Sequence, residues 1–215
     1  MHIPKHFHQE DVAALHALMR SHPLSTLVTL GADGLNANHI PLHLSPESGP
    51  YGVLRGHVAR VNPVWNDLHA DMDVLAIFHG PQAYITPSWY PTKAETGKAV
   101  PTWNYTTVHA YGRLRCIESP VWLHDHLEAL TNAQEAAFST PWQVADAPED
   151  YVGRMLNAIV GIEISITRLQ GKWKTSQNQP GHNQEGVVRG LRTLGSTDAG
   201  LMADLVASHL PDGGN

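Results

Sequence analysis

Three segments bring together residue types that could do chemistry. The first runs Arg55-Gly56-His57-Val58-Ala59-Arg60-Val61-Asn62-Pro63-Val64-Trp65 and sets two arginines, a histidine and an asparagine where a strand meets a helix start. Free N–H groups at a helix N-terminus and a two-pronged guanidinium suit a phosphate. The same arginines serve equally as solvated charges at a strand end. The second runs Lys98 to Tyr105, is reached from Ser88-Trp89-Tyr90-Pro91, and gathers Trp103, Asn104 and Tyr105. Such a group can cover a flat ring and hydrogen-bond its edge; from the residues alone, a plug for the end of a barrel is the plainer reading. The third, Gly171-Lys172-Trp173-Lys174-Thr175-Ser176-Gln177-Asn178, is too polar for a core and too aromatic for an idle loop. Its targets are a phosphate, a ring edge or a partner chain.

Familiar catalytic signatures do not occur. The sequence has no His-Glu-x-x-His, no Gly-x-Ser-x-Gly, no Walker loop and no Gly-x-Gly-x-x-Gly. Of 15 histidines most stand singly, and a single histidine is more often a hydrogen-bonded structural residue than a ligand. His124 and His126 are two apart on a helix, so they point different ways and make a poor metal pair. His6 and His8 could take up metal only adventitiously; no metal site is assigned. One cysteine, Cys116, excludes an intramolecular disulfide.

The elements that must position these segments follow from periodicity and turn chemistry. A helix is expected over Gln9 to Ser21, stopped by Pro23. Leu24 to Leu30, the turn Gly31-Ala32-Asp33-Gly34 and Leu35 to Leu44 read as a hairpin. Tyr51 to Val58 continues as a strand, and Asn62-Pro63 opens a helix, with Asn62 as its cap. Val74 to Phe78 and Ala83 to Thr86 read as two short strands, Pro87 to Pro101 as a long loop, and Tyr105 to Ile117 as a strand. Ser119 caps a strong helix and another follows Pro148. Ile159 to Leu169 is the most strand-like run, with Ile162, Ile164 and Ile166 on one face. Helical patterns near Gln184 to Leu194 and Ser196 to Leu210 precede a frayed Pro-Asp-Gly-Gly-Asn end. That last helix pair offers a helix-turn-helix only Arg189 and Arg192 as basic contacts, and packing or dimer structure is the better reading.

This order predicts an α+β fold with an antiparallel, barrel-like sheet. Residues 1–178 form the domain, with a helical insertion at about 119–158, and 179–215 form a helical C-terminal extension packed on it. At 215 residues the chain can build one substantial core. A net charge of −6 argues against a surface made to neutralise nucleic-acid phosphates. No apolar run is long enough for a membrane span, and the N-terminus lacks a signal-peptide core, so the cytoplasm is the expected compartment.

Read in order, Ile3-Pro4-Lys5-His6-Phe7, Asn38-His39-Ile40-Pro41-Leu42, Gly56 to Trp65, Gly80 to Tyr90, Pro101-Thr102-Trp103-Asn104-Tyr105, Gly161-Ile162-Glu163-Ile164 and Gly171 to Asn178 resemble the PaiB family of FMN-binding negative transcriptional regulators. The likeness runs to about Leu194, and the stretch from Ser88-Trp89-Tyr90 to Trp103-Asn104-Tyr105 is distinctive; Thr175 stands where a more apolar residue is expected. The family is similar to split β-barrel flavoproteins related to pyridoxamine phosphate oxidase. The resemblance implies FMN as cofactor and a homodimer with the cofactor site at the subunit interface. It implies that Asn38, His39 and Pro41 flank the isoalloxazine, that His57, Arg60 and Asn62 hold the phosphate, and that Trp103, Asn104, Lys172, Trp173 and Gln177 close the site. Catalytic residues are not assigned. DNA as a partner follows from the family label and not from the charge. A flavin-dependent oxidoreductase acting on a small metabolite is the alternative function, with haem binding or breakdown ranked last.

Overall fold

The computed structural model describes residues 1–66 and 73–211, so the rest of the helix expected to open at Asn62 and the frayed end over 212–215 lie outside the described residues. The strands are β1 (His8–Gln9), β2 (Leu24–Gly31), β3 (Gly34–Pro41), β4 (His43–Ser45), β5 (Val53–Ala59), β6 (Val74–Ile85), β7 (Thr102–Ile117) and β8 (Ile159–Lys174). The helices are α1 (Val12–Ser21), α2 (Pro91–Thr96), α3 (Pro120–Glu135), α4 (Glu149–Asn157), α5 (Gly181–Arg192) and α6 (Thr197–Ala207). The strands form one sheet in the order β3-β2-β6-β7-β8-β5-β4, with β1 paired to β8. The chain divides into two compact units: Met1–Leu15, His79–Val108 and Gln170–Asn215 make the first, His16–Phe78 and His109–Leu169 the second.

Within the second unit the expected hairpin forms with Leu24 opposite Pro41 and Gly31 opposite Gly34. Gly34 sits at φ 106°, a value that only a residue without a Cβ takes easily. The strand expected to run on to Leu44 divides after Pro41. Leu42 donates its N–H to the Pro23 carbonyl, and β4 then pairs with β5 instead. This corner presses on β5 at Gly56, where a Cβ would stand 2.6 Å from Leu42 Cδ2 and 3.1 Å from the Pro41 carbonyl oxygen. On the other side β5 pairs antiparallel with β8, from Val53 opposite Ser165 to Ala59 opposite Ile159. Ile162, Ile164 and Ile166 are buried on one face, as their spacing predicts. The α3–α4 stretch enters between β7 and β8; Ser119 Oγ accepts from Trp122 N and Pro120 takes the first helical position.

Local chemistry corrects several expectations. The first helix starts at Val12 rather than Gln9, because Asp11 Oδ1 accepts from Ala13 N and so fixes the entry. The two short strands over Val74 to Thr86 are one strand, β6, whose alternation of burial changes phase where Gly80 and Pro81 are both buried. The loop of 87–101 contains a one-turn 3-10 helix (Pro87–Trp89) and α2, which Gly97 ends at φ 68° by donating to the Lys93 carbonyl. The last strand extends past Leu169, so Lys172, Trp173 and Lys174 are strand residues.

The first unit has its own core. In it α5 and α6 bring Val187, Leu191, Met202 and Val206 against Ala83, Ile85 and Tyr90. The Gly186-x-x-x-Gly190 stripe of α5 seats Trp89: a Cβ at Gly190 would stand 2.3 Å from its indole, and one at Gly186 2.0 Å from its carbonyl oxygen. That indole is therefore a packing residue.

Candidate functional site

The sequence-designated residues fall into two groups, one in each unit. In the second unit, side-chain amides form a chain along β3 and the turn after β5. Asn62 Nδ2 donates to Asn38 Oδ1 at 2.8 Å, Asn38 Nδ2 donates to Asn36 Oδ1 at 3.0 Å, and Asn62 Oδ1 accepts from Val64 N. Asn62 thus caps the one-turn 3-10 helix Pro63–Trp65. His39 is exposed, with Nδ1 3.2 Å from Thr26 Oγ1; Pro41 is exposed at the end of β3.

The arginines of this group are already engaged. Arg60 donates from Nε to the Asn157 carbonyl and from Nη2 to the Ile159 carbonyl, pairs through Nη1 with Glu118, and lies over the Trp65 ring. These hydrogen bonds use three of the five guanidinium N–H groups. Arg55 pairs with Glu163 at 2.9 Å, and Arg115 donates to the other oxygen of that buried carboxylate at 2.7 Å.

His57 faces His126, which helical spacing had only excluded from a metal pair with His124. Its Nδ1 is 3.1 Å from Nε2 of His126 on α3, so one ring donates and the other accepts. His126 is 3% exposed and stacks on Trp122, with ring centroids 5.3 Å apart. Trp122 in turn lies on Gly161, the residue opposite His57 in the β5–β8 ladder, where a Cβ would come within 2.4 Å of the indole. Burial lowers the pKa of His57. Burial first, then His57, His43 and Arg55, lower His126 to about 4. The pair is uncharged at neutral pH. His126 Nδ1 is buried without a hydrogen-bond partner among the described residues. His124, two residues away, points elsewhere, with Nδ1 4.0 Å from a Glu128 oxygen, as helical geometry requires.

In the first unit the group separates into outward-facing and inward-facing members. Trp103 is 49% exposed, donates from Nε1 to Gln82 Oε1 at 3.2 Å, and meets Tyr84 edge to face at 5.9 Å. Tyr84 is equally exposed. The Lys172 ammonium lies 5.2 Å from the Tyr105 ring centroid and donates to the His2 carbonyl. Lys174 donates to the Trp103 carbonyl at 2.7 Å and to Thr102 Oγ1. Burial and then the charge of Lys172 lower its pKa.

The inward members build a turn. Asn104, 1% exposed, donates to Ser176 Oγ at 2.9 Å. Ser176 stands at φ 64°, and its carbonyl accepts from Gln184 Nε2. Gln177 bridges the same turn, accepting from Thr175 N and donating to the Trp173 carbonyl. Thr175 Oγ1 is 2.7 Å from His209 Nε2. Trp173 is half-buried at the end of β8. Asn104 and Gln177 are therefore occupied within the protein, while Trp103, Tyr84 and Lys172 face outward.

This outward donor set suits a phosphorylated flavin. A flat ring system needs an aromatic surface, and its carbonyl edge and phosphate need N–H and ammonium donors. Half-exposed indole and phenol rings, with Lys174 on the Trp103 carbonyl and Lys172 by Tyr105, supply both kinds of group, and Thr106 Oγ1 is buried with no hydrogen-bond partner among the described residues.

Comparisons with known proteins agree with that chemistry. Residues 1–168 match the family described as "Putative FMN-binding domain". An uncharacterized protein of Emericella nidulans is 38% identical over 89% of this chain and 90% of its own length. The protease synthase and sporulation protein PAI 2 of Bacillus subtilis is 30% identical over 98% of both. Among solved structures, the flavocytochrome Anf3 of Azotobacter vinelandii superposes with a TM-score of 0.56 over 80% of this chain and 72% of that one, at 11% identity, a likeness of fold alone. The chain belongs to the PaiB family of FMN-binding split-barrel proteins.

Proposed function

We propose that the chain is a PaiB-type regulator that works as a homodimer, with FMN held against the outward face of the first unit. The observation that carries this reading is Trp103, half-exposed on β7 beside Tyr84, with the Lys172 ammonium on the same unit. Bound FMN supplies hydride and single-electron chemistry. In this reading Trp103 and Tyr84 cover the ring, and the lysines offer positive charge to the phosphate. The buried turn at Ser176, fastened by Asn104 and Gln184, keeps the end of β8 rigid behind them. Solvent-exposed aromatic surface of this kind also favours burial against a second copy, which supports the homodimer.

Regulation, in this reading, does not run through direct DNA contact. The net charge of −6 works against a phosphate-neutralising surface, and α5 buries Val187, Val188 and Leu191 in its own unit. The name of the Bacillus subtilis relative, which refers to protease synthesis and sporulation, supports a control function. No helix among the described residues is long and apolar enough to cross a membrane. With the single free thiol of Cys116, this supports a reducing cytoplasm. The absorption spectrum of the purified protein tests the flavin: flavin bands with saturable FMN uptake are expected, and failure to take up added FMN contradicts the proposal. Sedimentation tests the dimer. A gel-shift titration at two salt concentrations tests the DNA statement, which direct, salt-sensitive retardation at micromolar protein would overturn.

A further inference from the structure

The helical insertion between β7 and β8 has a surface that the flavin reading does not use. Its helix α4 has no buried residue, although Val152, Leu156, Tyr151 and Met155 make it strongly amphipathic. Val152 and Leu156, with Val144 from the preceding one-turn helix, floor a groove of about 520 Å³. His124 of α3 and Glu149 of α4 stand at its rim. Elsewhere in the insertion, Phe138 (62% exposed) and Trp142 (46%) add further uncovered apolar surface. A helix whose apolar side is only partly covered, beside a groove of this size, is the form in which proteins receive amphipathic segments.

Charge selects the occupant. Residues 119–158 carry six carboxylates (Asp125, Glu128, Glu135, Asp146, Glu149 and Asp150) against Arg154 alone, which places −5 of the chain's −6 net charge on this insertion. Asp150 is paired with Arg154, while Asp146 and Glu135 accept backbone N–H groups of Gln143 and Trp142. Asp125, Glu128 and Glu149 are left exposed: Glu149 lines the groove, and the Asp125 and Glu128 carboxylates lie within 4.8 Å of the ring of His124, which also lines it. A second copy meeting this surface about a two-fold axis would set acidic patch against acidic patch. We propose that the α3–α4 groove is a docking site for a basic amphipathic segment of another protein, whose apolar side chains fill the floor and whose lysines or arginines meet Asp125, Glu128 and Glu149. The site lies within the second unit and is independent of the flavin reading.

The test uses the full chain and a fluorescently labelled amphipathic helical peptide of lysine and leucine, followed by anisotropy. Saturable binding in the micromolar range is expected, weakening roughly tenfold as salt rises well above 0.1 M, where the screening length falls below about 10 Å. Leu156→Ser should weaken binding roughly tenfold by removing apolar contact without changing charge. The exposed triple variant Asp125→Asn, Glu128→Gln, Glu149→Gln should weaken it by at least as much, with the folded circular dichroism spectrum and FMN uptake unchanged; it decides the matter if Leu156→Ser does not fold. The proposal is overturned if an acidic peptide of the same apolar spacing binds as well. It is also overturned if the triple variant binds like the parent, if folded Leu156→Ser does so (attraction by charge only), or if these changes alter the oligomeric state in sedimentation, which marks a self-interface.

Discussion

The polar groups of the two units contrast in what they leave available. Around His57 in the second unit, each of these side chains has a protein partner: Arg60 has Glu118 and two carbonyls, Arg55 and Arg115 share Glu163, and His57 has His126. Around Trp103 in the first unit, the indole and phenol rings are about half exposed, and the Lys172 ammonium lies by the Tyr105 ring. Both groups carry residue types suited to an anion and a ring. The group around Trp103 differs in leaving ring surface uncovered, although its indole N–H and the Lys172 ammonium are bonded to Gln82 and the His2 carbonyl, and composition alone does not separate the two.

The contrast can be broken most forcefully at Glu163. Glu163→Ala leaves two guanidiniums facing each other over the cavity of a carboxylate. A loss of about 2–3 kcal/mol in urea unfolding is expected, below the 3–5 typical of fully buried pairs because both arginines reach water. FMN uptake by the folded variant should be unaffected; a matching loss of flavin affinity at constant stability would move the site to this group.

Acid titration makes a comparable demand. His126 titrates at about 4 when folded and near 6.5 when unfolded, so between those values the unfolded chain binds the extra proton. Its contribution, about 3 kcal/mol at most, is fully present above pH 6.5 and lost as pH falls toward 4. The lowered values of His57 and His43 act with the same sign. Stability measured from pH 7 to 4 should fall more steeply for the parent than for His126→Gln; parallel curves would refute the neutral pair.

Smaller effects sharpen the picture. Gly190→Ala drives a methyl into the Trp89 indole and should cost about 1–3 kcal/mol, read as a lowered Tm. Lys172→Met should leave Tm within about 0.5 kcal/mol of the parent. It should weaken FMN binding by roughly fivefold, with a shallower dependence on salt.

How far the sequence was legible depended on distance along the chain. The Leu24–Pro41 hairpin and the Ser119-capped helix were readable because turn glycines and capping hydroxyls act within a few residues. The continuity of β6 was not, since Gly80 and Pro81 signal a break that pairing on the neighbouring strands overrides. His57 was singled out, yet its partner His126 lies 69 residues away on a helix read for metal binding and set aside. Asn104 looked like a ring-edge donor; its acceptor, Ser176 Oγ, is 72 residues away, and nothing local marks the side chain as buried. Trp122 on Gly161 was detectable only as a glycine inside a strand, a signal of close approach without its partner.

In the proposed function, flavin binding belongs to the outward aromatic and lysine face rather than to the histidine and arginine group. It is tested most directly by FMN titration of Trp103→Ala beside Arg60→Lys, each first checked for folding. Removing a stacking ring is worth about 1–3 kcal/mol, so Trp103→Ala should weaken FMN by roughly tenfold or more while Arg60→Lys binds nearly as the parent does. The opposite order, with Arg60→Lys losing FMN and Trp103→Ala retaining it, would contradict the account.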